Sequence, residues 1–364
     1  MTVRAIAIEA EGIRLRLDPT FGMVEELAVS RGGRTVSMLH KAPWHGRADA
    51  LPASAAPHLK RLAGDFFCAP FGNAEADGAP PHGWPANSSW AHRGTERQGN
   101  GTVARFELPR RAMGAKLTKE LRLVDGHPFL YQRHIFEGGS GTIPVANHAM
   151  LSLPKGGRLS FSPKRWFENL PEPLETDPAR GRSLLRYPAK SADARRFPRA
   201  DGSMADLTSY PFGERHEDFC AGVEAQGSEL GWTAVERGTE GDLFLSLRDP
   251  KKLPLTMLWF SNGGRDYAPW NGRHVSVLGV EEGVGRAVLG ASAREEPHPL
   301  EAAGVPTGLT LGDGEVTEVR HVIGSVAWAG GRVAAVGPAE GGVRVTGADG
   351  RSEPLPCDLA FLSA

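Results

Sequence analysis

The sequence predicts an all-β protein, a single large antiparallel β-sandwich. Three observations carry that prediction: period-two alternation of apolar residues, turn residues at short intervals, and a scarcity of helical periodicity. Ile13, Leu15 and Leu17 alternate with Arg14 and Arg16; Leu117, Leu121 and Leu123 share one parity, with Lys116, Thr118, Glu120 and Arg122 on the other. Leu243, Leu245 and Leu247 repeat the pattern, as do Val343 and Val345 near the end. Successive strand side chains point to opposite faces, so period two marks one buried face and one facing or wet face. The 46 glycines and 28 prolines form about one residue in five of the 364, against roughly 12% in average proteins. Short strands divided by turns at roughly 8–12-residue intervals indicate a sandwich or barrel. No repeat of about 20–50 residues is evident, which argues against a propeller or solenoid.

The domain expectation is one unit spanning 1–364, because large sandwiches often exceed 200 residues, roughly, as one domain. Residues 171–215 stand apart: they are rich in Pro, Arg, Ser and Asp, with little alternation. A strand-free connection of that length is expected to be mobile or functional. The Gly- and Ala-rich end, from about Ala327, keeps Val-rich alternation and is read as terminal strands.

Charge and cysteine usage narrow the function classes. Forty-two basic against forty-three acidic residues leave a net charge of -1, which argues against nucleic acid or an anionic membrane as the main partner. Cys68, Cys220 and Cys357 are too few and too scattered for a disulfide framework or a Cys-x-x-Cys metal site. The opening MTVRAIAIEAEGIRLRLD lacks the apolar core of a signal peptide, and no run of about 18 apolar residues occurs. The expectation is a cytoplasmic protein without metal or cofactor; sheet edges in such a fold leave room for a homodimer.

Chemistry is expected in the loops between strands or at strand ends. Pro70-Phe71-Gly72-Asn73 is followed by Pro81-His82-Gly83-Trp84 and then Trp90. Aromatic rings beside polar groups suit sugars, whose C–H faces stack while their hydroxyls hydrogen-bond; a loop histidine bound to its own backbone would read the same way. Asn147-His148 lies in an apolar run, where a satisfied core histidine is the commoner outcome. Val280-Glu281-Glu282 ends another apolar run. Adjacent strand residues face opposite ways, so at most one of these carboxyls faces a cleft. His216-Glu217-Asp218 could bind hydroxyls or simply open a solvated strand. Trp259 and Trp270 offer stacking faces, although aromatics in β-proteins are usually core. Phosphate-loop, dinucleotide, nucleophile-elbow and His-Glu-x-x-His patterns are missing, as is a His-x-His metal pattern.

In order and spacing these segments resemble the galactose mutarotase (aldose 1-epimerase) superfamily. Pro70-Phe71-Gly72-Asn73 is similar to its Pro-Phe-x-Asn-Arg segment, and Pro81-His82-Gly83-Trp84 to its His-Gly loop before a Trp. Asn147-His148 is similar to its strand-end Asn-His pair, and Val280-Glu281 to its late Leu-Glu-Pro. The resemblance implies a β-supersandwich whose cleft takes a small-molecule carbohydrate. It implies Glu281 as base, His148 as acid and His82 as hydrogen-bond donor near the ring oxygen, with no cofactor. Asn73, Trp84, Glu217, Asp218 and Trp259 are the implied substrate contacts. Ala74 replaces the superfamily's Arg, Glu282 replaces its Pro, and Ala149-Met150 replaces a common aromatic pair. Those departures keep open a non-catalytic carbohydrate-binding or regulatory module, and a polysaccharide lyase on the same sandwich.

Overall fold

The alternating runs become strands of two large antiparallel sheets. The computed structural model describes residues 4–47, 51–72, 78–286 and 298–363. One sheet has eleven strands, ordered Ile6–Ala10, Ile13–Asp18, Met23–Arg31, Asp65–Cys68, Val145–Ser152, Val277–Val284, Leu255–Asn262, His216–Glu224, Lys164–Glu168 and Lys190–Ser191, with Arg34–Val36 paired off the path to Met23–Arg31. The second has nine, running from Ser209–Tyr210 through Gly157–Phe161, Gly231–Arg237, Asp242–Arg248, Val316–Ala327, Phe129–Glu137, Ala115–Val124 and Gly101–Ala112 to Ala91–Gln98. Leu15, Leu17, Phe67, Leu258 and Val280 of the first sheet share one buried cluster with Leu117, Leu121, Leu130 and Phe244 of the second. Each such side chain contributes about 1.5–3 kcal/mol on full burial, so the inter-sheet layer is the principal core.

Period two holds where one face is wet or only half covered, as in Ala115–Val124, whose burial alternates along nearly its whole length. It fails to report exposure in Asp242–Arg248, where every residue is buried. The reason lies at the end of the chain. Val333–Ala339, Gly342–Gly347 and Ser352–Pro356 form a third sheet. Its Val343, Val345 and Leu355 cover Leu243, Leu245 and Leu247 from outside. The terminal strands expected from the sequence therefore close a second apolar layer.

Residues 171–215 depart from the strand-free expectation. They contain four two-residue strands: Lys190–Ser191 joins the eleven-stranded sheet, Ser209–Tyr210 joins the nine-stranded sheet, and Phe197–Pro198 pairs with Met204–Ala205. The three cysteines are buried free thiols. Among the described residues, no helix is long and apolar enough to cross a membrane.

Candidate active site

Strand pairing brings two of the singled-out residues face to face. In the antiparallel register of Val145–Ser152 with Val277–Val284, His148 lies opposite Glu281, and His148 also lies opposite Phe66 of Asp65–Cys68. Opposed residues in adjacent strands share a face. His148 Nε2 is 3.2 Å from Glu281 Oε1, and the imidazole stacks on Phe66 at 4.5 Å between ring centroids. Gly279 makes this packing feasible: a Cβ there would lie 2.9 Å from Trp259 Cβ and 3.1 Å from Glu281 Oε1.

The same register separates the two carboxyls. Glu282 Oε1 accepts from Thr233 Oγ1 at 2.6 Å, Glu282 Oε2 accepts from Thr256 Oγ1 at 2.8 Å, and Arg248 Nη1 lies 3.0 Å from Oε2. Thr233 and Arg248 belong to the nine-stranded sheet, so Glu282 points into the inter-sheet core. Glu281, one residue away, points to the opposite face, which is roofed by loops.

His82 reaches this face from a strained turn. It precedes the short helix Gly83–Asn87 with φ 69°, in the left-handed region that non-glycine residues enter at a cost of about 1–3 kcal/mol. Its amide donates to Gly72 O at 2.8 Å. Gly83 must follow, because a Cβ there would sit 2.0 Å from Ala69 O. The His82 ring stands edge-on to His148 at 5.7 Å and to His58 at 5.2 Å.

His58, His82, His148 and Glu281 line one cavity of about 810 Å³, with Phe66, Phe71, Phe219, Trp259, Tyr267 and Trp270 as aromatic walls and Arg180 and Arg265 as cations. Trp259 stands edge-on to His148 at 5.8 Å. Its indole N–H donates to Glu217, whose second oxygen accepts from Ser261 Oγ at 3.0 Å. Arg265 lies 3.5 Å from Glu217 and stacks over Trp270 at 4.5 Å. Glu217 thus sits behind the wall, holding the indole and the guanidinium, where the sequence reading had it contacting sugar. A second hollow of about 870 Å³ is lined by Glu224 and Arg248. Their charges are paired to each other at 2.6 Å.

Two other sequence-derived contacts fall elsewhere. Asp218 is wholly buried, and its carboxylate accepts from the Leu184 and Leu185 amides, the Tyr187 hydroxyl and His216 Nδ1 at 2.8–3.1 Å. It pins the 171–215 segment and has no face toward the cavity, because strand alternation turns it away from Glu217. Trp84 packs on the inter-sheet core beneath Arg110, 4.1 Å above its ring, and does not line the cavity. Asn73 lies outside the described residues. His58, Arg180 and Arg265 were not singled out from the sequence; only fold-level contacts bring them here.

Burial governs the electrostatics. It pushes the Glu281 carboxyl well above the usual carboxylate range. Burial, with the neighbouring histidines, holds His82 well below the ordinary imidazole value. His148 is lowered to about 3, chiefly by burial and secondarily by His58. The interior favours the uncharged form of each group, so the His148–Glu281 pair holds one proton and no net charge. Among the described residues, Asp18, Glu25 and His45 form a further carboxylate–imidazole group. Arg61 and Lys41 already neutralise it.

No family model matches the sequence, and no curated protein matches it. Solved structures do match the fold. A galactose mutarotase-like protein from Clostridium acetobutylicum superposes with TM-score 0.54 at 12% identity, covering 88% of this chain and 94% of that one. A candidate aldose 1-epimerase from Escherichia coli K12 gives TM-score 0.56 at 12% identity over 89% and 99%. A TPR-domain containing protein from Parabacteroides distasonis ATCC 8503 gives 0.57 at 13% identity over 89% of this chain, which spans only 47% of that protein. The chain has the galactose mutarotase-like fold, and identities this low carry the likeness no further than fold.

Proposed function

We propose that the chain is an aldose 1-epimerase, interconverting the α and β anomers of a sugar or sugar derivative by acid–base ring opening. The observation that carries this reading is the His148–Glu281 pair, 3.2 Å apart in a cavity walled by aromatic rings. Mutarotation needs a base at the anomeric hydroxyl and an acid at the ring oxygen, with roles that reverse on closing. A pair sharing one proton has both forms. Burial rests that proton on Glu281; once it has passed to His148 across the 3.2 Å contact, the Glu281 carboxylate takes the anomeric O–H proton and the C1=O double bond forms. The C1–O5 bonding electrons go to O5, which takes the proton from His148. Rotation about C1–C2 then presents the other carbonyl face. With the proton now on Glu281, O5 re-adds to C1 as His148 takes its proton and Glu281 returns one to the new anomeric oxygen. In this reading His82, which lines the same cavity, hydrogen-bonds near the ring oxygen. Trp259 and Trp270 offer faces for the sugar's C–H surface.

Exchange NMR on a panel of free aldoses tests the proposal, with faster anomer exchange than buffer alone as the expected result. Saturable sugar binding with no acceleration would instead make the chain a carbohydrate-binding module. New reducing ends or unsaturated products from a polysaccharide would make it a depolymerising enzyme.

A further inference from the structure

We propose that His58 is a substrate-binding residue whose Nε2 is held as a bare hydrogen-bond acceptor in the cavity wall, selecting sugars that present a hydroxyl donor there. The inference rests on the sugar-binding part of the proposed function and adds a specificity determinant to it.

The argument begins at Asn87, whose four contacts leave one orientation for its amide. Asn87 Nδ2 lies 2.8 Å from Pro81 O and 2.7 Å from Gly83 O, and carbonyl oxygens can only accept. Both hydrogens of the amide nitrogen are therefore used. Asn87 Oδ1 lies 3.0 Å from the His58 backbone N–H, which can only donate. The same oxygen lies 3.0 Å from His58 Nδ1. An oxygen cannot donate, so Nδ1 must carry the ring hydrogen. Backbone groups of fixed role thus settle both the amide orientation and the imidazole tautomer, which commonly stay ambiguous.

The consequence falls on the other nitrogen. Burial lowers the His58 pKa to about 4, so near neutral pH the ring carries one hydrogen, and Asn87 has placed it on Nδ1. Nε2 keeps its lone pair. His58 lines the cavity, and Asn87 clamps the Pro81–Gly83 turn that carries His82. His58 and His148 each stand edge-on to the His82 ring, at 5.2 and 5.7 Å; the anomeric hydroxyl is the one taken by the His148–Glu281 pair, so the hydroxyl assigned to His58 is another of the sugar's. A site built to pair a hydroxyl rejects the analogue lacking it, because the buried acceptor is left unpaired.

Two readouts test this, one of them independent of activity. Long-range ¹H–¹⁵N correlation of histidine-labelled protein should show His58 with a protonated Nδ1 and an unprotonated Nε2; the opposite tautomer would overturn the inference whatever the protein does with sugars. The second compares an accepted aldose with its monodeoxy analogues. Wild type should lose about ten- to a hundredfold in kcat/KM for one analogue, the order expected for one unpaired buried group. His58→Phe should lose that discrimination, and His58→Gln, which keeps an acceptor, should retain part of it. Equal discrimination by wild type and His58→Phe would refute the role. If wild type binds a sugar without turning it over, the epimerase reading fails alone. The inference then stands or falls on whether that sugar shifts the His58 Nε2 resonance.

Discussion

His148 and Glu281 face each other directly across two adjacent antiparallel strands, with Nε2 and Oε1 3.2 Å apart. Both sit in the middle of paired strands, so their geometry is set by sheet register and not by loop conformation. Such placement keeps acid and base within reach of one sugar ring without an ordering cost at each turnover.

The neighbouring carboxyl should behave oppositely. Glu282→Gln removes a charge that neutralises the buried Arg248 guanidinium, 3.0 Å away. Breaking a buried pair from one side costs about 3–5 kcal/mol. The expected outcome is a lower urea midpoint with near wild-type activity per folded molecule, read by denaturation and activity on the same samples.

Asp218 is predicted to act on structure. Asp218→Ala strips acceptors from the Leu184 and Leu185 amides, the Tyr187 hydroxyl and His216. Each buried donor left unpaired costs about 1–3 kcal/mol. Amide hydrogen exchange at Leu184 and Leu185 should accelerate markedly more than exchange in the nine-stranded sheet.

Acid should destabilise the fold through its buried histidines. His40 and His58 are lowered to about 4, and His148 and His321 to about 3, chiefly by burial. The unfolded chain binds these protons near the ordinary value of about 6.5. The folded form therefore binds fewer protons below that value. Stability is fully present above about pH 6.5 and falls as pH drops toward 4. The raised Glu281 has the opposite sign, opposing stability as pH rises above about 4.5. Urea midpoints measured from pH 7 to pH 4.5 should fall steadily, and His321→Asn should flatten the slope.

Arg265 is predicted to contribute to affinity. Its guanidinium lies over Trp270 at 4.5 Å and beside Glu217 in the cavity wall. Arg265→Ala should raise KM about tenfold with a smaller change in kcat, the order of one lost hydrogen bond to a charged group. Steady-state kinetics on the best aldose would show the split.

What could be read from the sequence follows from the range of the interactions involved. The sheet-forming runs were legible because alternation is local, and His82, His148 and Glu281 were legible through the resemblance of their flanking residues. Alternation also showed that Glu281 and Glu282 must part, whereas Glu217 and Asp218 were both read as substrate contacts. It could not say which member faces the cavity, since that depends on how distant strands pair. Glu217 and Asp218 show the consequence: one holds the cavity wall and the other pins the 171–215 segment. His58 was illegible because its tautomer depends on Asn87, 29 residues away. The exposure expected for one face of Leu243–Leu247 was lost to a third sheet formed by the last strands.

Anomer exchange measured by NMR for wild type and Glu281→Gln tests the central claim most directly. Loss of the general base should lower the rate by about 10²–10⁴-fold, while sugar binding and the urea midpoint at pH 7 are kept or improved by removing a buried acid. Anomer exchange at the wild-type rate in folded Glu281→Gln would contradict the account.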